Sequence, residues 1–422
     1  MCRRSFLLIA ALPLRAWGVD DTLGTIAFIR RDGLWIRNLP DGKPERLVSA
    51  AMLESPRFSP SGKWIAYFHS DVLYVVSRDG GKNIKLGKAV ERGAQWLPNR
   101  DELLVGRAAG LEVFSPADGW RKASRQIQHA SLPVVFSPQG PDIVYSDDIH
   151  SGRGPAGEPM RTGRLCRLPL DKPESEPKVL VSKYSSGQVP CAWTGNGEQI
   201  LYWEDPDFSA SVAADGLELF RISADGGSPR SMGVSTLVHN DMLSLSPDQT
   251  RLAIAAGDGR NEWEEKRIAV VSLNTSAISY LTDGDTAAVC PSWCPRGDRI
   301  AFSAAPGPGT GASVRGGDEA RRLLEKRRIW IGEASGTNRS RQLTNDVAYR
   351  DEEPMWSADG THILFCRIDR DNNKTLWLMD AESSRPLQVA GPLYANPGLL
   401  RPDETWFGYY GYIDWRTMVD WH

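Results

Sequence analysis

A chain of 422 residues with a net charge of -3 and a pI near 6.1 carries no polycationic footprint, so nucleic-acid binding is excluded as the expected role. Hydrophobic residues at 41% and a mean hydropathy of -0.37 describe a globular protein with a large core. The 15 Trp, 40 Gly and 28 Pro point to many short strands joined by tight turns.

In chain order, residues 1–18 read as a cleavable export signal. Arg3 and Arg4 form a charged start, Ser5 to Leu14 a short apolar run, and Ala16-Trp17-Gly18 a small-residue cleavage site. The run Arg3-Arg4-Ser5-Phe6-Leu7 resembles a twin-arginine signal, with Cys2 where Ser or Thr is usual; an ordinary secretory signal fits equally. A periplasmic or secreted location is expected either way, and no later apolar run is long enough to span a membrane. Five cysteines remain after cleavage, Cys166, Cys191, Cys290, Cys294 and Cys366, an odd and scattered set that argues against a disulfide framework. Cys290 and Cys294 read as small buried side chains on an inner strand.

From residue 22 to 415 one pattern recurs: apolar strand, Ser-Pro-x-Gly turn, apolar strand. Clear copies are Phe58-Ser59-Pro60-Ser61-Gly62, Trp293-Cys294-Pro295-Arg296-Gly297 and Trp356-Ser357-Ala358-Asp359-Gly360. Weaker ones follow Trp96, Phe136, Trp193, Leu245 and Leu400, so that the anchors lie 38 to 63 residues apart. Pro presets φ, Asp or Asn caps the turn, and Gly takes the positive φ. Third strands such as Leu34-Trp35-Ile36, Leu73-Tyr74-Val75, Ile329-Trp330-Ile331 and Leu376-Trp377-Leu378 complete units of four short strands. The anchor aromatics read as packing between units.

These repeats resemble the TolB-type, WD-like Trp-Ser-Pro-Asp-Gly repeat, which is related to the propeller domains of prolyl oligopeptidases. The resemblance implies an all-β fold, a β-propeller of four-stranded antiparallel blades closed by pairing of the N- and C-terminal strands. Eight first strands and eight third strands can be counted. Both Ile26–Ile29 and Trp406–Tyr412 compete for one second-strand slot, which leaves seven blades as the alternative. Residues 416–422 read as a tail. Neither TolB's additional N-terminal domain nor the catalytic domain of the peptidases is expected in this chain, and no Gly-x-Ser-x-Gly nucleophile elbow occurs.

Long connections at 146–163, 203–216, 256–266, 303–328 and 367–375 are expected to crowd one face. Within 303–328, Asp318 to Arg328 reads as a short helix with acids at its start and Lys326, Arg327 and Arg328 at its end. A ring of polar residues is expected at the channel mouth: Glu54, Arg92, His129, Gln188, His239, Asn240, Asp241, Asp283, Asp285, Arg350, Asp351, Glu352, Glu353 and Asn396. Asp369, Asp371 and Asn373 have the spacing of a calcium loop without its glycine and distal glutamate; a polar turn explains the same residues. The expected role is a non-catalytic, monomeric binding or scaffold module for a peptide, protein or glycan. The alternative is a carbohydrate-active lyase or glycosidase whose site is assembled from several blades, and which leaves no local motif. Catalytic residues are not assigned, and no cofactor beyond the calcium candidate is expected.

Overall fold

The computed structural model describes residues 23–422 except 91–92, 129, 154–158, 310–311, 336–338, 384 and 397–403. The expected export signal lies outside the described residues, as do Arg92, His129 and the first strand expected at Leu400.

The strands form eight four-stranded antiparallel sheets, the blades of an all-β propeller. Seven blades are simple meanders whose inner strands are Leu53–Phe58, Ala94–Trp96, Val134–Phe136, Ser186–Trp193, Leu243–Leu245, Thr286–Trp293 and Tyr349–Trp356 (blades 2 to 8). Blade 1 is composite. Its second strand Thr25–Arg30 pairs with Gly33–Asn38 on one side and with the C-terminal strand Val419–Trp421 on the other. The structure therefore has eight blades, and Thr25–Arg30 takes the contested second-strand slot. The chain divides into two compact units. Leu86–Asn240 carries blades 3 to 5, and Pro13–Lys85 with Asp241–His422 carries blades 1, 2, 6, 7 and 8.

Turn chemistry explains the inner hairpins. In blade 8 the Ser357 amide donates to the His362 carbonyl (2.9 Å), and Asp359 accepts from Thr361 N (3.0 Å). Gly62, Gly297 and Gly360 hold φ of 69°, 81° and 66°, where an L side chain is strained. Anchor aromatics pack between blades, as expected. The Trp356 indole donates to the Ser292 carbonyl of blade 7 (2.9 Å). Guanidinium groups of the preceding blade stack on the anchors, Arg251 over Trp293 at 4.8 Å and Arg299 over Trp356 at 5.3 Å. Within the other unit, Arg167 lies over Trp193 at 5.4 Å.

Three expectations are corrected. The stretch 146–163 is mostly extended hairpin, Asp142–Arg153 against Pro159–Pro169, supported by charge pairs across the ladder, Arg164 with the facing Asp147 and Arg161 with the diagonal Asp148 at 2.9 Å. The inserted helix is Gly317–Leu324, and Arg327 and Arg328 lie beyond its end. Asp318 and Glu319 do stand in its first turn. Lastly, residues 406–412 form no second strand. Glu404–Phe407 is a helical turn, Tyr409 and Tyr412 make an isolated bridge, and the strand that completes blade 1 lies in the stretch expected as a tail.

That last strand is well anchored. Val419 is fully buried opposite Phe28, Ile29 N donates to Met418 O (2.9 Å), and the Asp420 carboxylate accepts from Phe58 N of blade 2 (2.7 Å). A chain ending at Thr417 would expose the paired edge of Thr25–Arg30. We expect its thermal melt to shift down by several degrees with added self-association in sedimentation; an unchanged, monodisperse melt would contradict this pairing.

Candidate functional site

Prolines in the inner strands begin the site. Pro56, Pro291 and Pro354 occupy matching places in blades 2, 7 and 8, two residues before the aromatic anchor. Proline has no N–H for the ladder, so pairing breaks there. Register shifts between Glu54 and Arg57, between Val289 and Ser292, and between Glu352 and Met355 mark the resulting bulges. The residue before each proline, Ser55, Cys290 or Glu353, adopts φ of 54°, 53° or 51°. A bulge of this kind re-aims one side chain out of the alternating pattern.

Two linked clusters result, both in the unit that holds blades 6 to 8. The first is a buried charge network. Arg327 Nη1 donates to Glu262 Oε2 (2.9 Å) and Glu352 Oε1 (2.5 Å), while Nη2 donates to the Glu262 carbonyl (2.9 Å). Arg350 Nε donates to the same Glu352 oxygen (2.6 Å), and the Trp415 indole donates to Glu352 Oε2 (2.8 Å). Two acids thus face two guanidinium groups, all essentially shielded from solvent. Burial pushes the Glu352 carboxyl up, but Arg350 and Arg327 outweigh it and hold the group below its ordinary value. Burial acts against the charge on Arg327, and Glu352 and Glu262 reverse it, leaving the guanidinium more firmly protonated than in water.

The second cluster joins blades 6, 7 and 8. Asp241, from the turn Asn240–Met242, Cys290 and Glu353 each offer a ligand atom within 4.8 Å of the others. Glu353 Oε1 accepts from Arg416 Nε (2.7 Å). Tyr412 hydrogen-bonds the Asp241 side chain. Burial raises the Asp241 carboxyl well above its ordinary value, with Glu353 and Asp414 adding repulsion. Burial likewise pushes the Cys290 thiol well up, and Asp241 and Glu353 push it further. The thiol is protonated at neutral pH and is no nucleophile as it stands.

The C-terminal segment 404–418 lies across both clusters. Arg350 donates to the Trp406 carbonyl (2.9 Å) and to that of Gly411, the Trp406 indole donates to Asp369 O (2.9 Å), and Glu262 N donates to Tyr410 O (3.0 Å). Trp406 and Trp415 are almost fully buried beneath it.

Of the expected ring, Asp241, Arg350, Glu352 and Glu353 come together here, while Asp351 pairs with Arg367 (2.7 Å). Glu54 is buried on the inner strand of blade 2, and Asp285 is exposed, its amide bonded to Asp283 (3.2 Å). His239 and Asn240 close the other unit; burial lowers the His239 imidazole to about 4, so it is neutral at physiological pH. Gln188 is buried and bonds the Ser186 hydroxyl (3.1 Å). The Asp369 carboxylate accepts from the Asn373 amide (2.8 Å) and side chain (2.9 Å), and Lys374 donates to Asn372 (2.6 Å), the polar-turn arrangement. Residues that sequence reasoning did not assign to the site are Glu262, Cys290, Arg327, Tyr412, Trp415 and Arg416. The Xaa-Pro pair two residues before each aromatic anchor was the signal available for Cys290.

No protein-family model and no curated protein sequence matches the chain. Solved structures do match in fold. Dipeptidyl peptidase 4 of Porphyromonas gingivalis is 10% identical with a TM-score of 0.55, over 86% of this chain and 57% of that one. An oligogalacturonate lyase in complex with manganese is 14% identical with a TM-score of 0.51, over 86% of this chain and 98% of that one. A eukaryotic initiation factor is 12% identical with a TM-score of 0.53, over 92% and 90%. TolB chains are also among the matches. The chain spans little more than half the length of the peptidase. These likenesses are of fold alone and agree with the eight-bladed β-propeller that the sheets form.

Removing one partner of a buried charge network leaves the others uncompensated, which costs roughly 3–5 kcal/mol. Arg327→Met should lower the urea-unfolding free energy by about that amount; a loss under about 1 kcal/mol would show that the network contributes little. Lys266, fully buried and donating to the Gly259 carbonyl (2.6 Å), supplies a pH test. Burial lowers its ammonium from 10.5 to about 8. The folded state therefore binds this proton less tightly than the unfolded chain, so the contribution is full above 10.5 and is lost as pH falls toward 8. Stability from this group should rise between pH 8 and 10.5, and Lys266→Met should remove that component of the rise; identical pH profiles for both proteins would refute it.

Proposed function

We propose that this chain is an exported, non-catalytic β-propeller that binds a peptide, protein or glycan on its loop-rich face. The observation that carries the reading is the state of the central charged groups. Glu262, Arg327, Arg350 and Glu352 are engaged with one another and with the segment 404–418. Such groups hold a structure in place. They are not poised to exchange protons with a substrate, which needs a group in reach of the reacting atom and a pKa near the working pH. Binding then falls to the connections around this centre, such as 256–266 and the helix-bearing stretch 303–328, since long loops on a rigid scaffold are where recognition concentrates. The export signal read in residues 1–18 supports a role outside the cytoplasm.

One observation favours the carbohydrate-active alternative. Asp241 and Glu353 bring carboxylate oxygens within 4.8 Å, close to the separation of about 5–5.5 Å between the paired carboxyls of retaining glycosidases. The fold shared with an oligogalacturonate lyase over 98% of that chain is compatible with it.

A thermal-shift screen with peptides and oligosaccharides, followed by product analysis of every binder, separates the two. The binding reading expects a specific ligand that raises the melting temperature by mass action and is recovered intact. Cleavage of a bound oligosaccharide that Glu353→Gln abolishes would overturn it. Export is checked by fusing a reporter after residue 21; retention of the fusion in the cytoplasm would remove that part.

A further inference from the structure

We propose that Asp241, Cys290 and Glu353 form a zinc site that ties together the inner ends of blades 6, 7 and 8. One thiol and two carboxylates are a donor set for a borderline divalent cation. Sulfur ligation favours zinc over calcium, magnesium or manganese, which prefer oxygen alone. The three ligand atoms already lie within 4.8 Å of one another. Atoms bound to one tetrahedral zinc, at about 2.0–2.3 Å from the metal, are about 3.5 Å apart, so only about an ångström of side-chain closure is required.

A second observation points into the same space. Glu353 is only 3% exposed, and Arg416 engages its Oε1, yet its Oε2 has no hydrogen-bond partner. The Asp241 Oδ1 is also without one. A buried carboxylate oxygen left unsatisfied is costly, and a cation between the two acids would satisfy both. The surroundings suit a metal centre. Arg416 orients Glu353 and Tyr412 orients Asp241, the outer contacts that fix metal ligands in place. Asp241 is only half-buried, which provides the entry path, and three protein donors leave one coordination position for solvent. On binding, zinc takes the place of the Cys290 proton and of any proton that Asp241 holds, these protons leave to solvent, and zinc–sulfur and zinc–oxygen bonds form with no change of oxidation state.

Cobalt(II) substitutes for zinc and reports thiolate ligation through a near-ultraviolet charge-transfer band. The full chain, stripped with chelator, is titrated with Zn2+ in competition with a chromophoric chelator and, separately, with Co2+. We expect one equivalent of either ion, a charge-transfer band that Cys290→Ser abolishes and Cys294→Ser retains, and at least a tenfold weaker affinity in Glu353→Gln. No binding at micromolar Zn2+ overturns the proposal, and so does a band or an affinity that survives Cys290→Ser. Should Cys290→Ser fail to fold, Glu353→Gln decides, because an unchanged zinc affinity there places the ion elsewhere.

Discussion

An open sheet edge must be covered, and this chain covers one with its own end. Val419–Trp421 completes blade 1 against Thr25–Arg30, so the polypeptide has to return from blade 8 to blade 1 after its last full blade is made. The route is the segment 404–418, which passes over the inner strand of blade 8 and meets Glu262. Most of the site follows from that path. Trp406, Tyr412, Trp415 and Arg416 arrive above Arg350, Glu352 and Glu353, and the charges on the inner strands find partners in the crossing segment.

The bulges at Ser55, Cys290 and Glu353 are the second half of the same design. Proline interrupts the ladder two residues before each anchor aromatic, and the residue in front of it is turned out of the alternating pattern. In blade 8 the outcome is a glutamate that meets Arg416. In blade 7 it is a thiol beside two carboxylates. Burial then sets the chemistry, since the Cys290 thiol and the Asp241 carboxyl are pushed well up while the guanidinium groups of Arg327 and Arg416 are held charged.

Much of the fold was legible because its signals are local. Ser-Pro-x-Gly turns, strict or degenerate, and their anchors, six aromatic residues and Leu245, placed seven of the eight inner strands, and apolar triplets such as Leu34-Trp35-Ile36 placed the third strands. The last inner strand escaped because Val419-Asp420-Trp421 ends the chain, with no turn behind it to mark a hairpin. Trp406–Tyr412 carries the aromatics of a strand but uses them to roof the charge network. The site was only partly legible for a related reason. Arg327 sits after a helix and reads as a dipole-complementing surface cation, whereas its partners Glu262 and Glu352 are 65 and 25 residues away and nothing in the local sequence announces the pairing.

The account rests on the C-terminal segment being a fixed part of the propeller. Hydrogen exchange followed by mass spectrometry reads this directly. Amides of Asp420 and His422, which face Ala27 and Thr25 in the hydrogen-bonded positions of the ladder, and of the crossing residues Tyr412, Trp415 and Met418 should be protected to about the level of the inner strands of blades 7 and 8. Exchange at the rate of an unstructured peptide across 404–421, with the rest of the chain protected, would contradict it.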